Sequence, residues 1–165
     1  MLFRSKNGNY HLGLKLVRGA YMEKERARAV SNGYASPIQS NKEATDKDYN
    51  AALVYCLENI EQIAICAGSH NEQSNLLLTQ LMQKYAISNN DQRIYFSQLL
   101  GMSDHISFNL AKAGYNVAKY VPYGPVNAVF PYLTRRAQEN TSIAGQMGRE
   151  LSLLVAEKKR RKLLS

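Results

Sequence analysis

The feature that most constrains this chain is a rhythm in which a short apolar segment is followed by an amphipathic helical pattern, four times over. Leu14-Lys-Leu-Val-Arg-Gly-Ala20 reads as the first strand, and Tyr21 to about Ser31 as a charged helical extension after it. A loop through Gly33, Ser36 and Pro37 leads to Thr45-Asp-Lys-Asp48, a threonine with a carboxylate three residues on, which reads as a capping box. The helix after it carries Ala51, Ala52, Val54, Tyr55, Leu57 and Ile60. Ile63–Ala67 is the second strand, followed by a helix over Glu72–Tyr85 that carries Leu76, Leu77, Leu81 and Met82. Arg93–Ser97 is the third, with Gln98–Met102 as its loop and Ser103 as the cap of the next helix. Asn116–Val121 is the fourth, and a last helix runs from about Gly148 to Lys162.

Strands alternating with helices imply a parallel sheet joined by right-handed crossovers. Four units in line fit a small doubly wound sheet or half of a (β/α)₈ barrel. A whole barrel takes about 250 residues, and this chain has 165. The pattern alone does not choose between the two.

Composition narrows the class. Hydrophobic residues make up 45% and charged ones 21%, which suits a globular domain rather than a disordered one. The net charge is +8, but five of the positive charges lie together in Lys158-Lys-Arg-Arg-Lys162. The rest of the chain is therefore too weakly basic for a broad nucleic-acid surface, and the run reads as the solvated end of a helix. Cys56 and Cys66 form no CxxC and no Cys/His cluster, so both read as small buried hydrophobes of a protein from a reducing compartment. No segment looks like a signal peptide or a membrane span, and the expectation is a cytoplasmic protein.

In either fold, chemistry gathers at the carboxyl ends of the strands. Those ends carry Arg18-Gly-Ala-Tyr21, Ser69-His-Asn71, Gln98-Leu-Leu-Gly-Met102 and Tyr120-Val-Pro-Tyr-Gly124. Polar and aromatic groups collect there while the strand bodies stay apolar. The fourth end leads into Phe130-Pro-Tyr-Leu-Thr-Arg-Arg-Ala-Gln-Glu-Asn140. At helical spacing Tyr132, Arg135, Arg136 and Glu139 share one face. Paired arginines are most often just a solvated face. After a strand and a Gly/Pro loop, however, two planar forks of donors suit a small carboxylate.

Taken together, Lys15-Leu-Val-Arg-Gly-Ala-Tyr21, Ser69-His-Asn71, Gln98–Met102 and Tyr120–Gly124 with Tyr132–Asn140 resemble the proline dehydrogenase family, flavoenzymes that oxidise L-proline. The match runs in order from about residue 13 to residue 145 and is nearer the monofunctional, mitochondrial type than the bifunctional bacterial one. The resemblance implies an α/β fold of the (β/α)₈ TIM-barrel type. The chain would supply the last four β/α units, a half-barrel over residues 1–147, with a C-terminal helix and basic tail at 148–165.

The resemblance also implies roles. Arg135 and Arg136 would clamp the proline carboxylate, Tyr120 and Tyr132 would wall the pyrrolidine ring, and Tyr21 and Leu16 would complete the pocket floor. Lys15, at a position that is arginine in the bifunctional members, would place a positive charge near the flavin. FAD would be held by the backbone of Val17, Gly19 and Ala20. Lys42 and Thr45 would serve its phosphates, His70 and Asn71 its adenosine half. Glu139 would bind the cofactor or orient the arginines.

The implied reaction is oxidation of L-proline to 1-pyrroline-5-carboxylate, with a quinone at the membrane surface as the electron acceptor. The implied location is the periphery of the inner membrane, mitochondrial in a eukaryote. The family's first four strands have no counterpart here. The expectation is a chain that pairs with a missing half or self-associates, the alternative being a half-barrel that binds or assembles without catalysis.

Overall fold

The computed structural model describes residues 7–19, 21–141 and 146–162, with side chains up to Arg136 and again at 151–153 and 155–161. Two compact units are present, one ending at Tyr120 and the other starting at Val121. The first contains β1 (Leu12–Leu16), α1 (Met22–Asn32), α2 (Lys42–Glu58), β2 (Ile63–Gly68), α3 (Glu72–Lys84), β3 (Ile94–Leu99), α4 (Asp104–Lys112) and β4 (Val117–Tyr120). The second contains α5 (Val126–Thr141) and α6 (Gln146–Lys162).

All four strands are parallel, and their order in the sheet is their order in the chain. A doubly wound sheet reverses its strand order at a switch point. This one never reverses, which is the winding of a barrel segment. The register aligns the carboxyl ends: Leu16 beside Ala67, Gly68 beside Ser97, Leu99 beside Tyr120.

Side chains alternate across the sheet, so each strand divides its residues between two faces. Leu12, Leu14, Leu16, Ile63, Ile65, Ala67, Ile94, Phe96 and Val117 face the helices and pack with Leu53, Leu57, Leu78 and Met82. Phe96 is completely buried and meets Tyr115 edge to face at 5.4 Å. Burying a side chain of this size contributes about 1.5–3 kcal/mol. The opposite face carries Gly13, Lys15, Cys66, Tyr95 and Tyr120, none of them fully buried. Cys56 is buried as expected, but Cys66 is only half-buried because it falls on this second face.

Local boundaries shift where a competing cap or turn wins. β1 runs from Leu12 and leaves the ladder after Leu16, because the chain turns at Gly19, whose φ is +72°. α2 begins three residues before the expected box. Asn41 is its N-cap, and Asn41 Oδ1 accepts from the Ala44 N–H at 2.8 Å. Thr45 therefore lies inside the first turn, where its hydroxyl donates to the Asn41 carbonyl at 3.0 Å. Asn71 caps α3 in the same way, accepting from the Ser74 N–H at 3.0 Å. Ser103 stands at the N-cap of α4 as expected, with a φ of 51°, but its hydroxyl makes no cap bond.

In the second unit α5 starts on Pro125, whose carbonyl accepts from Ala128 and Val129 at 2.9 and 3.0 Å. Pro131 lies inside this helix. It has no N–H to give to the previous turn, so α5 lacks one rung there. In α6, Glu157 accepts from Arg160 at 2.7 Å and from Arg161 at 2.9 Å, which ties down part of the basic run. The fold has thus been built so that one face is a core and the other is open at the end where the motifs collect.

Candidate active site

The open face is concave. β1 and β4 are the two edges of the sheet, separated by three inter-strand spacings, about 14 Å along the sheet. Even so, the Lys15 ammonium sits 4.9 Å from the centre of the Tyr120 ring. That contact requires the sheet to curl edge toward edge, as strands closing into a barrel do. Gly68 makes room for it. A Cβ there would lie 3.4 Å from Lys15 Cε, 3.0 Å from Val17 Cγ1 and 3.1 Å from the Leu16 carbonyl. Leu16 does not join this face. Its side chain packs into the helix-side core, so the expectation that it floors the pocket is corrected by the alternation of the strand.

Beyond β1 the chain forms an exposed rim. Val17 is about half exposed, Gly19 has nothing within 4 Å of where a Cβ would stand, and Tyr21 is 65% exposed in the left-handed region at φ 57°. Ala20 lies outside the described residues. A backbone turn with open space above a glycine is one that a flat ligand can approach closely.

Arg18 points the other way and is pinned. Its guanidinium pairs with Asp46 of α2, donates to Ser69 Oγ at 2.7 Å and to Ser74 Oγ at 2.8 Å, and stacks 4.1 Å from the Tyr49 ring centre. Asp46 also accepts from Lys42 and, at 3.3 Å, from Asn71 Nδ2. Ser74 in turn donates to Asn50 at 2.7 Å. Partial burial pushes the Asp46 carboxyl up, but the hydrogen bond from Lys42 and the charge of Arg18 outweigh it and hold the carboxyl below its ordinary range. Burial pushes the Tyr49 phenol up to about 12 despite the neighbouring Arg18. Lys42 and Thr45, expected as phosphate partners, thus stand in one turn, with Lys42 held by Asp46 and Thr45 by Asn41.

The turn after β2 is equally tied. His70 Nδ1 is hydrogen-bonded to Ser103 Oγ at 2.9 Å. Asn75 donates to the carbonyls of Ser69 and Asn71, and the buried Gln98 donates to the Ser69 carbonyl at 3.3 Å while accepting from Ser107 at 2.9 Å. His105 Nε2 lies 2.9 Å from Glu72 Oε1. Among the described residues no three His, Cys, Asp or Glu side chains gather as a metal site.

The arginine helix belongs to the second unit. Within it the Arg136 guanidinium lies over the Tyr132 ring at 5.3 Å, so these two share a face as the spacing requires. Arg135 is exposed. The side chain of Glu139 lies outside the described residues.

Arg18 and Asp46 were missed by motif reasoning. The signal available was small: a cation between the apolar Val17 and Gly19, and a carboxylate one turn after Lys42.

Comparison with known proteins places these features in one family. The family model described as proline dehydrogenase matches residues 2–149. The mitochondrial proline dehydrogenase 1 of Drosophila melanogaster is 45% identical over 97% of this chain and 25% of its own length. That of Homo sapiens is 49% identical over 90% of this chain and 25% of its own. The hydroxyproline dehydrogenase of Xenopus laevis is 46% identical over 90% of this chain and 33% of its own. This chain therefore spans about a quarter to a third of such relatives. Among solved structures, proline utilization A from Bdellovibrio bacteriovorus, inactivated by N-propargylglycine, superposes with a TM-score of 0.78 at 29% identity. The overlap covers 85% of this chain and 14% of that one.

Proposed function

The chain belongs to the proline dehydrogenase family, and from that premise we propose that it carries one half of a site for oxidising L-proline to 1-pyrroline-5-carboxylate with FAD. The observation that supports this most is the meeting of Lys15 and Tyr120 across the concave face, beside the open rim at Val17 and Gly19. A cation suited to a flavin edge and a ring suited to a substrate wall stand within contact of each other.

The residues present fit the cofactor. The turn at Gly19 has positive φ and free space, so a planar ring system can lie against its backbone. Lys42 and Thr45 lie in the first turn of α2, where free N–H groups and the helix dipole favour an anion. Val17, Gly19 and Ala20 would hold the ring system and Lys15 its edge. His70 and Asn71 would hold the adenosine half, with Glu139 beside the arginines. The two-electron oxidant is supplied by bound FAD. The protein's own part is to bind the carboxylate through Arg135 and Arg136, wall the ring with Tyr120, Tyr132 and Tyr21, and exclude water.

Electrons would leave for a quinone at a membrane surface. Among the described residues no helix is long and apolar enough to cross a membrane. For a eukaryotic source the relatives named mitochondrial point to the mitochondrial inner membrane. Residues 1–147 would form the half-barrel and 148–165 the terminal helix and tail. The exposed edges of β1 and β4 would pair with four further strands, from the rest of such a barrel or from a second copy.

An anaerobic visible spectrum of the FAD-loaded chain, before and after L-proline, tests the reading. Bleaching of the flavin bands is expected where these four units, singly or as a pair of copies, assemble enough of the site to transfer hydride. Bound flavin that proline does not bleach would favour the alternative, a binding or assembly module without catalysis. Hydroxyproline is a second substrate reading, since a hydroxyproline dehydrogenase at 46% identity stands level with the proline dehydrogenases at 45% and 49%, and bleaching by hydroxyproline in preference to proline would select it.

A further inference from the structure

We propose that Arg18 is a positioning residue that locks three separate segments, the rim after β1, the first turn of α2 and the turn after β2, into one rigid cradle behind the open face. The proposal rests on the cofactor reading above, because those three segments are the ones expected to hold a single dinucleotide. The turn after β2 keeps a backbone bond to the sheet, from the Ser69 N–H to the Ser97 carbonyl at 3.1 Å, and a side-chain bond from Gln98, but nothing in the sheet joins the three segments to one another. Val17–Gly19 lies past the end of the ladder, and Lys42–Asp46 and Ser69–Asn71 are helix-entry segments. Loops such as the rim after β1 are ordinarily among the more mobile parts of a β/α unit.

Arg18 joins the three to one another from one point. Its neighbours Val17 and Gly19 are exposed, yet its own side chain is only 17% exposed and Asp46 only 21%. One nitrogen pairs with α2 and the other with both Ser69 and Ser74. Tyr49 closes the stack on the guanidinium face. Asp46 then extends the lock to Lys42 on one side and Asn71 on the other. Only a planar fork makes this set of contacts together. A lysine could satisfy Asp46 or the serines, but it could not bridge them in one plane.

The first measurement is hydrogen exchange on the flavin-free chain. Arg18→Met should raise exchange at residues 17–22, 42–46 and 69–75 together, while β3 at 94–99 keeps its protection. The second is FAD titration by quenching of flavin fluorescence. Arg18→Met should weaken uptake on the order of tenfold or more, as small misplacements of a binding frame do. Arg18→Lys should recover the α2 segment but not the Ser69 turn. Loosening confined to 17–22, loosening that includes 94–99, or three loosened segments with unchanged FAD uptake would each overturn the proposal. If the unaltered chain takes up no FAD, the functional reading fails on that arm alone, and the exchange pattern still decides whether Arg18 couples the three segments.

Discussion

The two faces of the sheet are made from the same strands and do opposite things. On the helix side, Ile94, Phe96, Leu78 and Met82 are completely buried, and almost every neighbour is apolar. On the concave side, alternate residues of the same strands are Lys15, Cys66, Tyr95 and Tyr120, and Gly68 keeps the space between them clear. Stability is therefore concentrated on one face, and the other is free to carry chemistry that contributes little to folding. A one-residue slip of any strand would exchange the two.

The most severe test of that division is a cavity on the closed side. Phe96→Ala should cost about 3–5 kcal/mol of stability, read as a shift in urea or thermal midpoint. A loss under about 1 kcal/mol would mean that the helix-side core is not what holds the unit together. Next comes α5, which belongs to the second unit and is proposed to bind the substrate carboxylate. Arg135→Met or Arg136→Met should each weaken binding of proline or a carboxylate analogue by about 1.5–3 kcal/mol in a proline-competent protein. FAD affinity and the unfolding midpoint of the sheet should hardly move. Unchanged proline binding in both variants would remove the carboxylate clamp from the assignment.

A third test lies where the faces meet, at the Arg18–Asp46 pair. The Asp46 carboxyl is held below its ordinary value of 3.8 in the folded chain, so its pairing stabilises the fold above that value and fades as pH falls below it. Asp46→Asn should therefore cost about 1–2 kcal/mol near neutral pH, between the range for exposed pairs and that for buried ones. The gap between variant and parent should close on acidification below about pH 4. A gap that stays constant across that window would assign the loss to shape rather than charge.

What could be read from the sequence followed the same division. The strand–helix order, the parallel sheet and the collection of motifs at one end were legible because they depend on local period and chain order. Lys15 and Tyr120 were legible as strand-end residues. Their contact was not, since it depends on how far four strands curl. Leu16 was assigned to the pocket by the family resemblance, and the alternation of the strand puts it on the face opposite Lys15, in the helix-side core. The cap of α2 was placed at Thr45 because Asn41, equally able to cap, lies before Lys42 rather than before an apolar run. Arg18 was invisible for a different reason. Its partners are 28, 51 and 56 residues away, and no local pattern marks a guanidinium that will meet a carboxylate and two serines only after three segments fold.

The smallest expected effect on stability makes the comparison sharpest. Lys15→Met keeps an unbranched apolar stem but removes the ammonium that lies over Tyr120. A cation over an exposed ring is worth about 0.5–1 kcal/mol, and the stem can still cross Gly68, so the unfolding midpoint should change by no more than that. If the concave face is a site, the same change should lower FAD affinity or alter the visible spectrum of the bound flavin, because the positive charge near its edge is gone. A large loss of stability with no spectral change would invert the argument. It would make the Lys15–Tyr120 contact a brace that holds the curl of the sheet, and the face that stays open would then have been built for closure of the barrel before it was built for catalysis.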